Sequence, residues 1–576
     1  MSEAFYSDYP RWAQEFAMKY FSKTLNQFIL HGNVRDDVPV KRGKSYEFMR
    51  FETFLSEELF GSREIVIFYD RSSGIHFRDK KSMADFQRAV SGYDAFSGTE
   101  FSNKLPKDPV RVFGLLENFF RLRLGDNKSI AFIVDYTETV VPMNDSGSAG
   151  SEDRNTLVFL QRWAHDPLFL AADFTTVLIA ENLTDLNRNL IQSPHTASIK
   201  VELPDDDARN AFIKSIADAK TFKKLSQVPM NVLSQQTAGL SCVNIKSILS
   251  GAIENKSIIT FESLSKNKKE LIEAEAYGLL EFVNTNFTLD AVAGHSRVKQ
   301  HLREAAANLK AGRRDVMPMG YLVCGPVGTG KTWMVTCFSG EVGIPMVKLK
   351  NFRSQWQGVT EGNLEKILTL LDAMSPVAVM IDEADAYLGD RSSSGDSGVS
   401  SRVFAQIAQF MSNTQNRGRI VWFLMTARPD LMPIDLKRQG RAEEHLALFH
   451  PSSEDERIEL YQAMVKKTKM KLSDVEYIPA IVKLGDRTFS GADMESALTR
   501  AKFRAATRDI EEITPEILDE TFADFIPPSY PEEVELQTLI AVMECTSRSL
   551  LPEPYYSMSR EEIAERYEEL KIMLGV

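Results

Sequence analysis

The chain has 576 residues, 43% hydrophobic and 26% charged, which is too long for one core and ordinary enough for several globular domains, roughly three to five by length. Its net charge of −12 leaves no electrostatic footprint for nucleic acid and weighs towards a protein substrate. No apolar run approaches the ~18 residues that cross a bilayer, and residues 1–8 carry no basic region followed by an apolar one, so the expectation is a cytoplasmic protein without a membrane span.

Residues 10–27 set Trp12, Phe16, Tyr20 and Phe21 at helical spacing, an amphipathic helix that packs on a core. A strand is expected at 28–32, a helix at 46–60, a strand at 63–70 and a helix at 110–124, with further strands at 129–135, 174–180 and 198–203. Strands alternating with helices imply a mostly parallel sheet covered on both faces. The polar stretch 71–109, with Gly92, Gly98 and Pro106, reads as an insertion, either solvated or in contact with a partner. Residues 143–153 form a second polar, Gly/Ser-rich loop. Helices at 207–219 and 244–253 suggest a small helical subdomain. Residues 256–284 then read as linker, with the basic cluster Lys266-Asn-Lys-Lys269 and a helix at 270–283.

The second half repeats this order: strand 321–324, helix 331–338, strand 345–349, helix 363–374, strand 377–382, helix 402–412 and strands 419–426 and 445–449. Asp382 follows Asp135 by 247 residues, Pro451 follows Pro204 by 247 and Ser490 follows Ser241 by 249. The chain therefore reads as a tandem repeat of one fold.

Chemistry concentrates in the second copy. The run Gly325, Pro326, Val327, Gly328, Thr329, Gly330, Lys331, Thr332 follows a strand and opens a helix at Trp333, as a phosphate-binding loop requires. Its glycines let backbone N–H groups turn inward, the helix adds its positive end, Lys331 reaches the outer phosphates and the Thr332 hydroxyl suits Mg²⁺. Fifty-one residues after Lys331, the apolar strand 377–382 ends in Asp382-Glu383, at the carboxyl end of a parallel strand, where ligands gather in open α/β sheets. The first copy instead has Gly32-Asn-Val-Arg-Asp-Asp-Val-Pro39, with one glycine, two carboxylates and no Lys-Thr pair, so no tight nucleotide binding is expected there. Asp135-Tyr136 stands where the second copy has its two acids. The four cysteines, 242, 324, 337 and 545, show no metal spacing and read as reduced core residues.

With these motifs in place, the segment FTLDAVAGHSRVKQHL (287–302) resembles the stretch before the nucleotide site in the AAA clade of the AAA+ ATPases. The resemblance implies two P-loop, RecA-like parallel-sheet modules of α/β class, each followed by a small helical lid. It places Val292, Ala293 and Gly294 on adenine, with ATP and Mg²⁺ held by residues 325–333. It gives Asp382 to the metal's hydration shell and Glu383 to the attacking water, and makes Lys331 catalytic through the phosphates. Arg438-Gln-Gly-Arg441 looks like the clade's paired arginine fingers, which reach the γ-phosphate bound by the next subunit and so imply a homo-oligomeric, hexameric ring. Trp356, Gln357 and Gly358 resemble a pore loop that grips polypeptide, with 391–398 a second central loop.

Two departures accompany the match. Ala427 stands where the clade has a water-orienting asparagine, so either turnover is slow or Thr426 substitutes; the first copy keeps Asn182 at that place. Gln357 is polar where the family is apolar. Ser490-Gly-Ala-Asp493 resembles the second sensor, and Ser559 with Glu562 forms a capping box in an acidic tail that either docks a neighbour or partner or is a solvated helix pair.

The expected organisation is a degenerate large subdomain at 1–203, a lid at 204–255, a linker at 256–285, an active large subdomain at 286–450, a lid at 451–526 and a helical extension at 527–576. The expected function is ATP-driven remodelling, unfolding or disassembly of a protein partner. The alternative is a nucleotide-gated scaffold that threads nothing.

Overall fold

The computed structural model describes residues 8–43, 45–102, 104–143, 150–276, 279–283, 285, 287–350, 361–388, 399–485 and 487–575. Contacts divide the chain into two units, Met1–Ala276 with Gly358–Ala373, and Tyr277–Gln357 with Met374–Val576.

The first unit is built on strands β1 (Gln27–Gly32), β4 (Ile65–Asp70), β5 (Gly74–Phe77), β6 (Ile130–Val134), β7 (Phe174–Ala180) and β8 (Thr196–Val201), with a separate hairpin of β2 (Asp37–Arg42) and β3 (Ser45–Arg50). The sheet order is β5-β4-β6-β7-β1-β8, parallel except for β5. Alternate residues of each strand enter different cores: Ile29, Ile67 and Phe132 pack with helix Pro109–Gly125, while Phe28, Leu30, Val66 and Phe68 pack with Trp12 and Phe16. Burial on both faces is why these strands read as unbroken apolar runs.

Three expectations are corrected here. Residues 45–50 are a strand, not helix, because Phe48 stacks edge-on against Phe212 at 4.8 Å and the chain reverses at Gly43; helical turns begin only at Phe51. The 71–109 insertion is largely ordered: β5 extends the sheet, and Asp79 caps helix Lys80–Ser97, whose Phe86 meets Phe119 at 5.1 Å. Residues 280–283 are also strand rather than helix, since Leu280 and Phe282 alternate inward.

The second unit contains β9 (Leu280–Val283), β10 (Gly320–Cys324), β11 (Met346–Leu349), β12 (Val377–Ile381), β13 (Ile420–Thr426) and β14 (Glu444–Ala447) in the order β14-β10-β13-β12-β11-β9, parallel except for β9. Dropping one antiparallel edge strand from each sheet leaves the same order of five parallel strands in both, so the repeat legible in the sequence is a repeat of topology. Helices between Glu454 and Asp524 bury their own core around Tyr461, Leu498 and Phe522. Helices Pro531–Glu544 and Arg560–Leu574 bury Leu536, Leu539, Ile540, Ile563 and Leu570 against Cys324 and Ala447. That acidic tail is thus packed onto the second sheet, and Ser559 and Glu562 do form the capping box. No helix among the described residues is long and apolar enough to cross a membrane.

Candidate active site

Strand β10 delivers the chain to Gly325, whose φ of 144° only glycine adopts readily and where a Cβ would lie 2.1 Å from the Leu448 carbonyl. Gly328, φ 87°, is similarly pressed, 2.6 Å from the Ser490 Cβ. These glycines thus serve close backbone approach as much as loop curvature. Helix Lys331–Val342 starts at Gly330 with no side-chain cap, so its first N–H donors remain for an anion. Lys331 Nζ donates to the carbonyls of Gly325 at 2.8 Å and Pro326 at 2.9 Å, and burial lowers its pKa to about 8.

At the end of β12, the Asp382 carboxylate lies 3.3 and 3.4 Å from the Thr332 hydroxyl. A hydroxyl and a carboxylate at that spacing form an oxygen donor set suited to a small hard cation such as Mg²⁺, which takes few protein ligands and completes its shell with water and phosphate. Lys348, from β11, also reaches Asp382, at 3.0 Å. Glu383 is exposed beside it, with φ 49°, as Tyr136 has φ 50° at the corresponding place in the first unit.

Gly328, Gly330, Lys331, Thr332, Asp382 and Glu383 line a cavity of about 710 Å³ that also takes in Val292, Ala293, Trp333, Asp385, Ala427 and Gln537. The 292–294 turn is fixed from the helical region: the Gly294 N–H donates to Glu459 at 2.9 Å, and Lys299 joins the Val292 carbonyl (2.8 Å) to Glu459 (2.9 Å). Trp333 donates its indole N–H to Ala291 at 3.2 Å. Gly491 and Ala492 close the cavity from helix Gly491–Thr507. Thr426 does not face the cavity as a free hydroxyl; it donates to Asp385 at 2.6 Å and accepts from the Arg428 N–H at 2.8 Å.

The two candidate finger arginines differ. Arg438 has 59% of its side chain exposed and one ion pair, with Asp435 at 3.2 Å. Arg441 has only 10% exposed and donates to the Asp435 carbonyl at 2.8 Å. Arg441 is thus folded into its own loop, whereas Arg438 is presented to solvent. Trp356, Gln357 and Gly358, and the loop 391–398, lie outside the described residues.

In the first unit the matching positions are filled by the chain itself. Arg35 pairs with Asp135 at 2.8 Å and lies 3.9 Å over Tyr136, placing a guanidinium on the carboxylate that corresponds to Asp382. The buried Asp36 carboxylate accepts from the N–H groups of Cys242 (2.8 Å) and Val243 (2.9 Å), at the start of helix Cys242–Glu254. Burial raises its pKa despite those bonds.

Sequence reading missed Asp385, and also Lys348 and Gln537, which belong to no contiguous motif. Asp385, three residues after Asp382, was within reach as a third carboxylate near the strand end; Gln537 carried no local signal.

Residues 3–202 match the family described as "AAA+ chaperone, N-terminal Rossmann-like domain", residues 207–277 "AAA+ chaperone, second helical domain", and residues 321–449 "ATPase family associated with various cellular activities (AAA)". The chain is 26% identical to an uncharacterized AAA domain-containing protein ycf46 of Trieres chinensis, over 67% of this chain and 82% of that one. It is 25% identical to a cell division cycle protein 48 homolog of Archaeoglobus fulgidus, over 67% and 56%. It is 29% identical to the ATP-dependent zinc metalloprotease FtsH of a Synechococcus, over 40% and 37%.

Proposed function

Because the chain belongs to the AAA+ ATPases, we propose that its second unit binds and hydrolyses ATP while its first is a nucleotide-free relic of the same fold. The observation that carries this is the convergence of an uncapped helix start, Lys331, Thr332, Asp382 and Glu383 on one cavity. Thr332 and Asp382 would hold Mg²⁺, which supplies neutralisation of phosphate charge. Lys331 exchanges its two loop carbonyls for phosphate oxygens, the N–H donors of the loop and helix orient the chain of phosphates, and Glu383 holds the attacking water and takes its proton. Val292, Ala293, Gly294 and Trp333 form the wall for the base.

The proposed organisation is an α/β module and helical lid in each half, at 1–203 with 204–255 and at 286–450 with 451–526, followed by the extension 527–576. The first lid runs on through helix Phe261–Glu275, which groups with the first unit. The exposed Arg438 supports assembly into a ring in which it enters a neighbour's site, and Arg441 supports the loop that carries it. Similarity to the Cdc48 homolog and to FtsH supports work on a protein partner. The switch reading, in which ATP governs assembly alone, differs in needing no polypeptide grip.

The test is Glu383→Gln beside Lys331→Ala. Glu383→Gln is expected to bind ATP while hydrolysis falls by ~10²–10⁴, and Lys331→Ala to lose binding. Hydrolysis by Glu383→Gln at the wild-type rate sinks the assignment.

A further inference from the structure

Helix Pro531–Glu544 meets the phosphate loop through Gln537, and Lys437 and His445, which flank the arginines, through Glu544. Gln537, Ala541 and Glu544 are spaced i, i+4, i+7, so they line one side over two turns, roughly 10 Å of helix. The Gln537 side-chain carbonyl accepts from the Val327 N–H at 3.1 Å. The Ala541 carbonyl meets the Cys324 thiol at 3.9 Å, just before the loop.

At the other end Glu544 pairs with Lys437, which also donates to the Pro429 carbonyl at 3.0 Å. The Glu544 carbonyl lies 2.9 Å from His445 Nδ1, and its carboxylate 3.4 Å from the same atom. His445 Nε2 faces the carbonyls of Lys437 at 3.1 Å and Ala442 at 3.0 Å. Every partner of both ring nitrogens is an acceptor, so the imidazole satisfies them all only when doubly protonated. Its pKa is correspondingly raised: burial opposes the charge, but the Glu544 carboxylate and carbonyl outweigh it. The residues from Lys437 to Ala442, Arg438 and Arg441 among them, are thereby held at one end by Glu544 directly and at the other through His445, which Glu544 itself positions.

The loop end has a switchable partner. The Pro326–Val327 peptide receives Lys331 Nζ on its carbonyl and gives its N–H to Gln537. When Lys331 turns to a phosphate, the Pro326 carbonyl loses the ammonium but keeps the Thr329 hydroxyl donor at 2.9 Å, so the peptide is less polarised where its N–H meets Gln537.

We propose that helix Pro531–Glu544 is a strut that carries the occupancy of the phosphate loop to the Arg438–Arg441 segment of the same chain, with Gln537 and Glu544 as its positioning residues. A subunit would thus offer its arginine in a set that depends on its own nucleotide. This deepens the ATPase reading and rests on it.

The experiment is amide exchange over residues 434–445, read by mass spectrometry in full-length Glu383→Gln at saturating ATP, at a dilution where sedimentation shows single chains. The expected result is a change of about five- to tenfold on adding ATP, abolished in Gln537→Met, which keeps the length without the acceptor oxygen, and in Glu544→Ala, with ATP binding by each variant measured by equilibrium dialysis. A merely structural role would shift exchange equally with and without ATP. A parent that binds ATP while exchange over 434–445 stays fixed overturns the strut alone, as does an undiminished response in ATP-binding Gln537→Met or Glu544→Ala. A parent that binds no ATP refutes the ATPase reading, and the strut falls with it.

Discussion

Arg438 and Arg441 should separate catalysis from stability. In Arg438→Ala the loss to folding is small, because an exposed side chain with one ion pair contributes at most about 0.5 kcal/mol. If it completes a neighbour's site, the loss in kcat is ~10³–10⁵. Arg441→Ala removes a buried guanidinium and leaves the Asp435 carbonyl without its donor, a cost of about 1–3 kcal/mol. In a unit of this size that lowers the melting temperature by roughly 2–4 °C per kcal/mol. Phosphate release by the assembled protein and a thermal melt of each variant give both readouts. Arg438→Ala within threefold of wild-type kcat would refute the trans assignment. Arg441→Ala that melts normally yet loses as much kcat as Arg438→Ala would refute the structural assignment and make it a second finger.

Ala427→Asn restores an amide at the cavity wall and is expected to raise kcat by several-fold; a rate no higher than wild type counts against the idea that the missing amide limits turnover. Equilibrium dialysis should find one ATP per chain, since Arg35 and Asp36 occupy the first unit's counterpart groups; two would overturn the relic reading. Trp356→Ala should keep ATP hydrolysis and lose partner processing, and loss of neither favours the scaffold alternative. His445, whose pKa is raised in the fold against burial by Glu544, should contribute stability that is fully present below its unfolded pKa of about 6.5. That contribution is lost as pH rises through the folded value. The second unit should therefore melt lower with rising pH above that point, and His445→Gln should remove that slope.

Chemistry that lives within a few residues was legible without coordinates: the loop 325–332, the acid pair after β12, the strand-helix alternation and the repeat itself. Each depends on local periodicity or on a backbone geometry that particular residues permit. The errors fall where a neighbour decides. Residues 45–50 contain as much helical as strand spacing until Phe212 is placed beside Phe48, and 280–283 become strand because the edge of β11 is there to pair with.

The sequence by itself therefore determined the class of fold and the repeat of its strand order. Only the tertiary structure decided how the side chains are used. Two arginines three residues apart look equivalent in a string, yet one is solvated and one is buried. Asp36 reads as a charge that repels phosphate, but the fold delivers it to the start of a helix 206 positions away in the chain. Gln537 meets the phosphate loop across 210 positions. Such contacts are fixed by packing of whole elements, and no spacing in the sequence encodes them.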